Sequence, residues 1–143
     1  MNALNRGQIV RVLIADDNPV VRRILQQLVE KEEGFEVAAT VADGDECLES
    51  IQKTSPDVLS LDLEMPRMSG RAVLMKLLER NIRTGIVVVT GLPIHDQPFV
   101  TDELRSLGAN AILTKDFSPK GTDLNLFTRE YFRALKEAAR AAH

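Results

Sequence analysis

Short apolar runs alternate with amphipathic helical patterns five times along this chain, and that alternation restricts the fold more than any other feature. Residues 9–15, 35–41, 58–61, 86–89 and 111–114 are β-branched or nearly continuously apolar, as expected of strands buried on both faces. Between them the apolar residues return at helical spacing. Asn18 offers an N-cap with Pro19 at the first helical position, followed by a stripe of Val20, Val21, Ile24, Leu25, Leu28 and Val29 that Gly34 closes. Asp43 can cap a second helix whose inner face is Cys47, Leu48 and Ile51. Val73, Leu74, Leu77 and Leu78 mark a third, and residues 98–107, stopped by Gly108, a fourth. A loop with Pro119 and Gly121 leads to a fifth, with Leu124, Phe127, Tyr131, Leu135 and Ala138 on one side as core packing. Strands separated by helices imply right-handed crossovers and a parallel sheet covered on both faces. Five units predict a flavodoxin-like, doubly wound α/β fold with strand order 2-1-3-4-5.

The 143 residues suit one domain, residues 1–143, with residues 1–8 as a polar N-terminal tail and no linker, repeat or low-complexity segment. A net charge of −3 argues against nucleic-acid binding, which usually shows a basic excess. No apolar stretch is long enough to span a bilayer, and Met1 to Gln8 lack the apolar run of a signal peptide. Cys47 is the single cysteine, so no intramolecular disulfide can form and a cytoplasmic setting is expected.

In an open parallel sheet, ligands bind beyond the carboxyl ends of the strands. The residues predicted there are Asp16 and Asp17 after the first strand, Asp62 after the third, Thr90 after the fourth and Lys115 after the fifth. Carboxylates crowded together repel one another, and a bound cation relieves the repulsion. Oxygen-only donors favour a hard ion, and Mg²⁺ suits two or three protein oxygens with water and phosphate completing its octahedron. A carboxylate can also act as a nucleophile toward phosphorus. Asp62, at the end of the central strand, is the best candidate, with Lys115 placed to neutralise phosphoryl charge and the Thr90 hydroxyl to donate to a remaining phosphoryl oxygen. Each residue taken singly has a plainer reading. Asp16–Asp17 could be helix capping, Asp62 a turn residue, Thr90 a strand end and Lys115 a surface lysine. Their joint placement at strand ends is what points to a site. Cys47, His95 and His143 show no metal-ligand spacing and read as core, loop and tail residues.

The runs Val12-Leu13-Ile14-Ala15-Asp16-Asp17-Asn18, Leu61-Asp62-Leu63-Glu64-Met65-Pro66 with Gly70, Val89-Thr90-Gly91 and Thr114-Lys115 resemble the receiver domains of two-component response regulators. The resemblance covers nearly the whole chain from Val10. It implies phosphoryl transfer from a histidine kinase to Asp62. It also implies Mg²⁺ bound by Asp16, Asp17, Asp62 and the Glu64 backbone carbonyl, with Thr90 and Lys115 turning toward the phosphoryl group. A downstream partner would then read the face formed by the fourth helix, fifth strand and fifth helix. Such a chain is a monomer or weak dimer and catalyses only its own phosphorylation and dephosphorylation. The run from Leu61 to Met68 is especially similar to the receiver half of chemotaxis methylesterases, although no G-x-S-x-G elbow of a hydrolase is present. That leaves a stand-alone receiver with a role in chemotaxis, or a regulatory piece of a larger methylesterase or transcription factor.

Two positions depart from the family pattern. Ile112 stands where most members carry a rotating Tyr or Phe, and Asp116 stands where proline, often cis, usually follows the lysine. A non-proline cis bond costs about 3 kcal/mol, so the Lys115–Asp116 peptide is expected to be trans, and Asp116 to compete for Lys115. Gly91 leaves the phosphate position open to water. Ile112 and Asp116 keep a phosphate-independent pseudo-receiver in view. The rival enzyme reading is a small aspartyl-phosphate phosphatase. It fits less well, because those hydrolases place the nucleophile after the first strand with a second Asp two residues on, where this chain has Glu64.

Overall fold

The computed structural model describes residues 7–117, 121 and 123–142. Five strands and five helices alternate in the predicted order. They are β1 (Val10–Ala15), α1 (Pro19–Lys31), β2 (Phe35–Val41), α2 (Gly44–Thr54), β3 (Val58–Leu61), α3 (Gly70–Glu79), β4 (Gly85–Thr90), α4 (Pro98–Ser106), β5 (Ala111–Thr114) and α5 (Leu124–Ala142). All strand pairs are parallel, in the order β2-β1-β3-β4-β5. The predicted flavodoxin-like architecture is thus present. Most of the N-terminal tail (residues 1–6), Pro119 and His143 lie outside the described residues.

Local chemistry explains several boundaries. The Asn18 side chain accepts from the Val20 and Val21 N–H groups, and Pro19 needs no partner for a missing donor, so α1 starts at the predicted cap. Asp43 Oδ1 accepts the Glu46 N–H at 2.8 Å and starts α2. Lys31 is the last residue of α1, Glu32 caps it, and Gly34 takes the left-handed turn (φ 87°) into β2 rather than ending the helix itself.

The sheet divides the core into two layers. Leu13, Leu59, Leu61 and Val88 face α2, α3 and α4, meeting Cys47, Ile51, Val73, Leu74, Leu77 and Leu104. Val12, Ile14, Val58, Val87 and Val89 face α1 and α5, meeting Leu25, Val29, Phe127, Tyr131 and Leu135. Three residues expected in the apolar stripes are instead exposed: Val20 (66%), Leu78 (59%) and Leu124 (46%). All three sit in terminal turns of their helices. Periodicity identifies a helix face, but at its ends that face runs off the sheet and has nothing to cover it. Ile9 is exposed for the same reason, one residue before β1 begins.

Among the described residues no helix is long and apolar enough to cross a membrane. Cys47 is fully buried, and burial pushes its thiol up to about 12, with Asp43 adding to the effect. The thiolate is the reactive form. A disulfide reagent should therefore label native protein at least ~100-fold more slowly than urea-unfolded protein, by the loss of both access and thiolate. Comparable rates in the two states would show that the α2 face is not packed as described.

Candidate functional site

The parallel ladder continues one step past the strand ends, and this assembles the rim. The Asp16 N–H donates to Val41 O (3.1 Å), the Asp62 N–H to Ala15 O (2.9 Å) and the Lys115 N–H to Thr90 O (2.8 Å). Asp16, Asp62 and Lys115 are therefore each held by a neighbouring strand before their side chains make any contact. Because β1 and β3 are adjacent, Asp16 and Asp62 emerge side by side.

Asp16 and Asp62 are 1% and 4% exposed, while Asp17 lies open at the mouth. Carboxylate oxygens of all three lie within 4.8 Å of one another. Lys115 answers part of this charge: its Nζ is hydrogen-bonded to Asp16 Oδ2 and lies 3.5 Å from Asp62 Oδ1. Asp16 is further fixed by the Asn18 N–H on Oδ1 (2.9 Å), and its backbone carbonyl accepts from Arg22 Nη1 (2.8 Å). The Glu64 N–H donates to Asp62 Oδ1 at 3.3 Å. Thr90 is fully buried at the end of β4, where its Oγ1 accepts the Leu92 N–H (3.1 Å).

Three carboxylates against one ammonium leave the rim electron-rich. Burial pushes the Asp62 pKa up from 3.8 to about 6; Lys115 draws it down, Asp16 pushes it up again, the Glu64 N–H lowers it and the Asp17 carboxyl raises it. The donor set is oxygen only, carries excess negative charge and converges on a small space. It fits a hard divalent cation.

The predicted site residues are thus brought to one rim: Asp16, Asp17, Asp62, Thr90 and Lys115, with Glu64 two residues beyond the central carboxylate. The ion pairs of Lys115 run to Asp16 and Asp62. No described peptide bond is cis, so Lys115–Asp116 is trans as expected. Ile112 is buried in the layer that includes Leu104, Ala109 and Ile94. His95 lies exposed in the loop before α4, as read from the sequence.

One contact and one backbone conformation escaped the sequence reading. The Tyr131 O–H donates to Ser60 Oγ (2.8 Å) in the core, tying α5 to β3 two residues before Asp62. The signal was present: a serine in a buried apolar strand and a tyrosine on an apolar stripe each need a partner. Arg67, in the loop after Asp62, takes a left-handed conformation (φ 67°), which arginine gives no sequence cue for.

Between pH 4 and 6 the folded protein holds a proton on Asp62 that the unfolded chain releases, so this group's contribution to stability falls as pH rises through that window. Asp62→Asn removes the penalty. Without divalent cations the variant should be more stable than wild type by about 2 kcal/mol at pH 7, with the difference shrinking toward pH 4. Thermal melts at both pH values check this, and a variant less stable at pH 7 would contradict the charge assignment.

The family description "Response regulator receiver domain" matches residues 12–123. A protein-glutamate methylesterase/protein-glutamine glutaminase of Geobacter metallireducens is 35% identical over 127 residues, covering 89% of this chain and 36% of the relative. A namesake from Xanthomonas campestris pv. campestris is 36% identical over 132 residues, covering 92% of this chain and 36% of the relative. The chain therefore spans about 36% of the length of these relatives. The response regulator domain of Thermotoga maritima CheB superposes with a TM-score of 0.82 at 24% identity, covering 92% of this chain and 97% of that domain, and supports the fold. The receiver domain of AraT, a response regulator from Geobacillus stearothermophilus, gives 0.71 at 30% identity over 91% of this chain and 95% of its own. With sheet order, acidic rim and sequence match in agreement, the chain belongs to the response regulator receiver domain family.

Proposed function

We propose that this chain is a phosphorylation-driven signalling switch, one receiver unit in which Asp62 accepts a phosphoryl group from a histidine kinase. The observation that carries the reading is the shared Lys115 ammonium, which joins Asp16 to Asp62 in a buried rim with a third carboxylate at its mouth. An Asp62 carboxylate oxygen attacks phosphorus in line, the P–N bond of the phosphohistidine breaks, and the departing imidazole nitrogen takes a proton. Lys115 then neutralises charge on a phosphoryl oxygen, and the Thr90 hydroxyl donates to another. Reversal of the switch is hydrolysis: water attacks phosphorus and the carboxylate leaves. Mg²⁺ would be held by Asp16, Asp17, Asp62 and the Glu64 backbone carbonyl, and when bound it supplies positive charge at the phosphoryl oxygens.

The signal is a population shift between two packings of α4, β5 and α5, biased by the contacts to phosphate. Phe99, 84% exposed on α4, and the exposed Leu124 and Leu126 on α5 support this face as the one a protein partner reads. Ile112 in place of an aromatic ring moves the relay to packing of Leu104 and Ile112 rather than a ring rotation. Outside its own phosphorylation and dephosphorylation the chain catalyses nothing, works in the cytoplasm as a monomer or weak dimer, and binds neither nucleic acid nor membrane. The methylesterase relatives favour a chemotaxis pathway. They also favour a second reading, in which the same switch regulates a linked methylesterase domain.

Intact mass spectrometry after incubation with acetyl phosphate tests the reading. One phosphoryl adduct is expected with Mg²⁺, and none with a chelator or in Asp62→Asn; an adduct that survives Asp62→Asn contradicts it. Gly91 is exposed, and a Cβ built there would meet only Lys115 O, at 3.6 Å, so the position has room for a β-carbon. Gly91→Val should hold its phosphoryl group longer than wild type because its isopropyl group shields phosphorus from water. An equal or shorter half-life would remove the role assigned to Gly91.

A further inference from the structure

We propose that Asp43 and Gly44, at the start of α2, are positioning residues for the Asp62 site. They hold the loop of residues 63–69, and with it the Glu64 carbonyl, in register with the rim. The inference rests on the reading of that rim as a Mg²⁺ and phosphoryl site, and adds residues from a different element to it.

The contact is between backbones. A Cβ built on Gly44 would lie 2.2 Å from Met68 O and 2.5 Å from Met68 Cβ, so the loop approaches α2 at a distance only a glycine permits. The residue before it, Arg67, is held at φ 67°, a conformation that disfavours any residue with a Cβ. Its Nε lies 3.9 Å from Asp43 Oδ2. Asp43 is itself buried, and its other oxygen caps α2 through the Glu46 N–H. One carboxylate therefore fixes the helix start and reaches the strained residue of the loop.

The far end of the loop is fastened as tightly. A Cβ on Gly70 would lie 2.2 Å from Asp62 O and 2.8 Å from Leu63 Cα, and the Gly70 N–H donates to Leu63 O at 2.9 Å. Met65 is buried in the core layer between, and the Met68 N–H donates to Pro66 O at 2.7 Å. With Gly70 bonded to Leu63 O and Ser69 held as the cap of α3, a displacement of Met68 is passed back through its bond to Pro66 O, along residues 64–67. Glu64 carries the proposed carbonyl ligand, and Mg²⁺ tolerates little departure from octahedral geometry. The α2 start therefore acts on metal affinity rather than on the chemistry at Asp62.

Calorimetric titration of the full chain with MgCl₂, paired with acetyl phosphate labelling across Mg²⁺ concentrations, tests this. Gly44→Ala should raise the Mg²⁺ Kd about tenfold, in the range of changes to groups that orient a ligand. Its labelling rate at saturating Mg²⁺ should stay within about twofold of wild type, the affinity-against-rate split that a purely structural lesion does not produce. Asp43→Asn keeps an equivalent helix cap but removes the charge facing Arg67, and should raise Kd by about twofold to fivefold. It carries the test should Gly44→Ala fail to fold by circular dichroism. A folded Gly44→Ala with wild-type Kd, or in its absence a folded Asp43→Asn with wild-type Kd, overturns the positioning role alone. A wild-type protein that binds no Mg²⁺ overturns the reading of the rim, and this inference with it.

Discussion

Lys115 sits where two buried carboxylates need it, hydrogen-bonded to Asp16 and 3.5 Å from Asp62. Taking three ionised groups out of water is costly unless they compensate one another, and a lone acid at either position would be expelled or protonated. One ammonium does not balance three carboxylates, however, and burial, with Lys115 pulling down and Asp16 pushing up, leaves Asp62 raised to about 6. The rest of the structure serves this arrangement. The parallel ladder brings β1 and β3 together, the Asp62 N–H reaches Ala15 O, and β5 is pinned to β4 by the Lys115 N–H on Thr90 O. The strands supply rigid positions, and the incomplete charge balance supplies the demand for a cation.

Much of this was legible beforehand. Buried parallel strands announce themselves as unbroken apolar runs, and four of the five were read to their observed carboxyl ends, three of them where Asp16, Asp62 and Lys115 break the pattern sharply. Helix caps at Asn18 and Asp43 were equally plain, since a side chain that competes for backbone donors has few other uses before an apolar stripe. Val20, Leu78 and Leu124 were misplaced because a stripe carries no record of where the supporting sheet stops. The Tyr131–Ser60 bond and the left-handed Arg67 depend on contacts across many residues of sequence, which a local pattern does not encode.

The site also explains why output is a separate problem from phosphorylation. Every group proposed to handle phosphate is fixed by backbone hydrogen bonds or by ion pairs on the rim, whereas Ile112 is an aliphatic side chain packed in the same layer as Leu104 of α4. A branched aliphatic group has no polar tip to follow Thr90, so in the proposed switch a change at the rim is passed on as a change of packing. Arg71 of α3 is ion-paired with Glu103 of α4, so α4 is tied to the helix that follows the Asp62 loop as well as to β5.

The proposed switch depends on Asp62 being the phosphoryl acceptor. The most direct measurement is borohydride reduction of protein treated with acetyl phosphate and Mg²⁺, followed by peptide sequencing in the mass spectrometer. Reduction converts an aspartyl phosphate to homoserine and leaves free carboxylates untouched. Homoserine at position 62, and at no other aspartate, is the predicted result. Homoserine at Asp16 or Asp17, with Asp62 unchanged, would contradict the account.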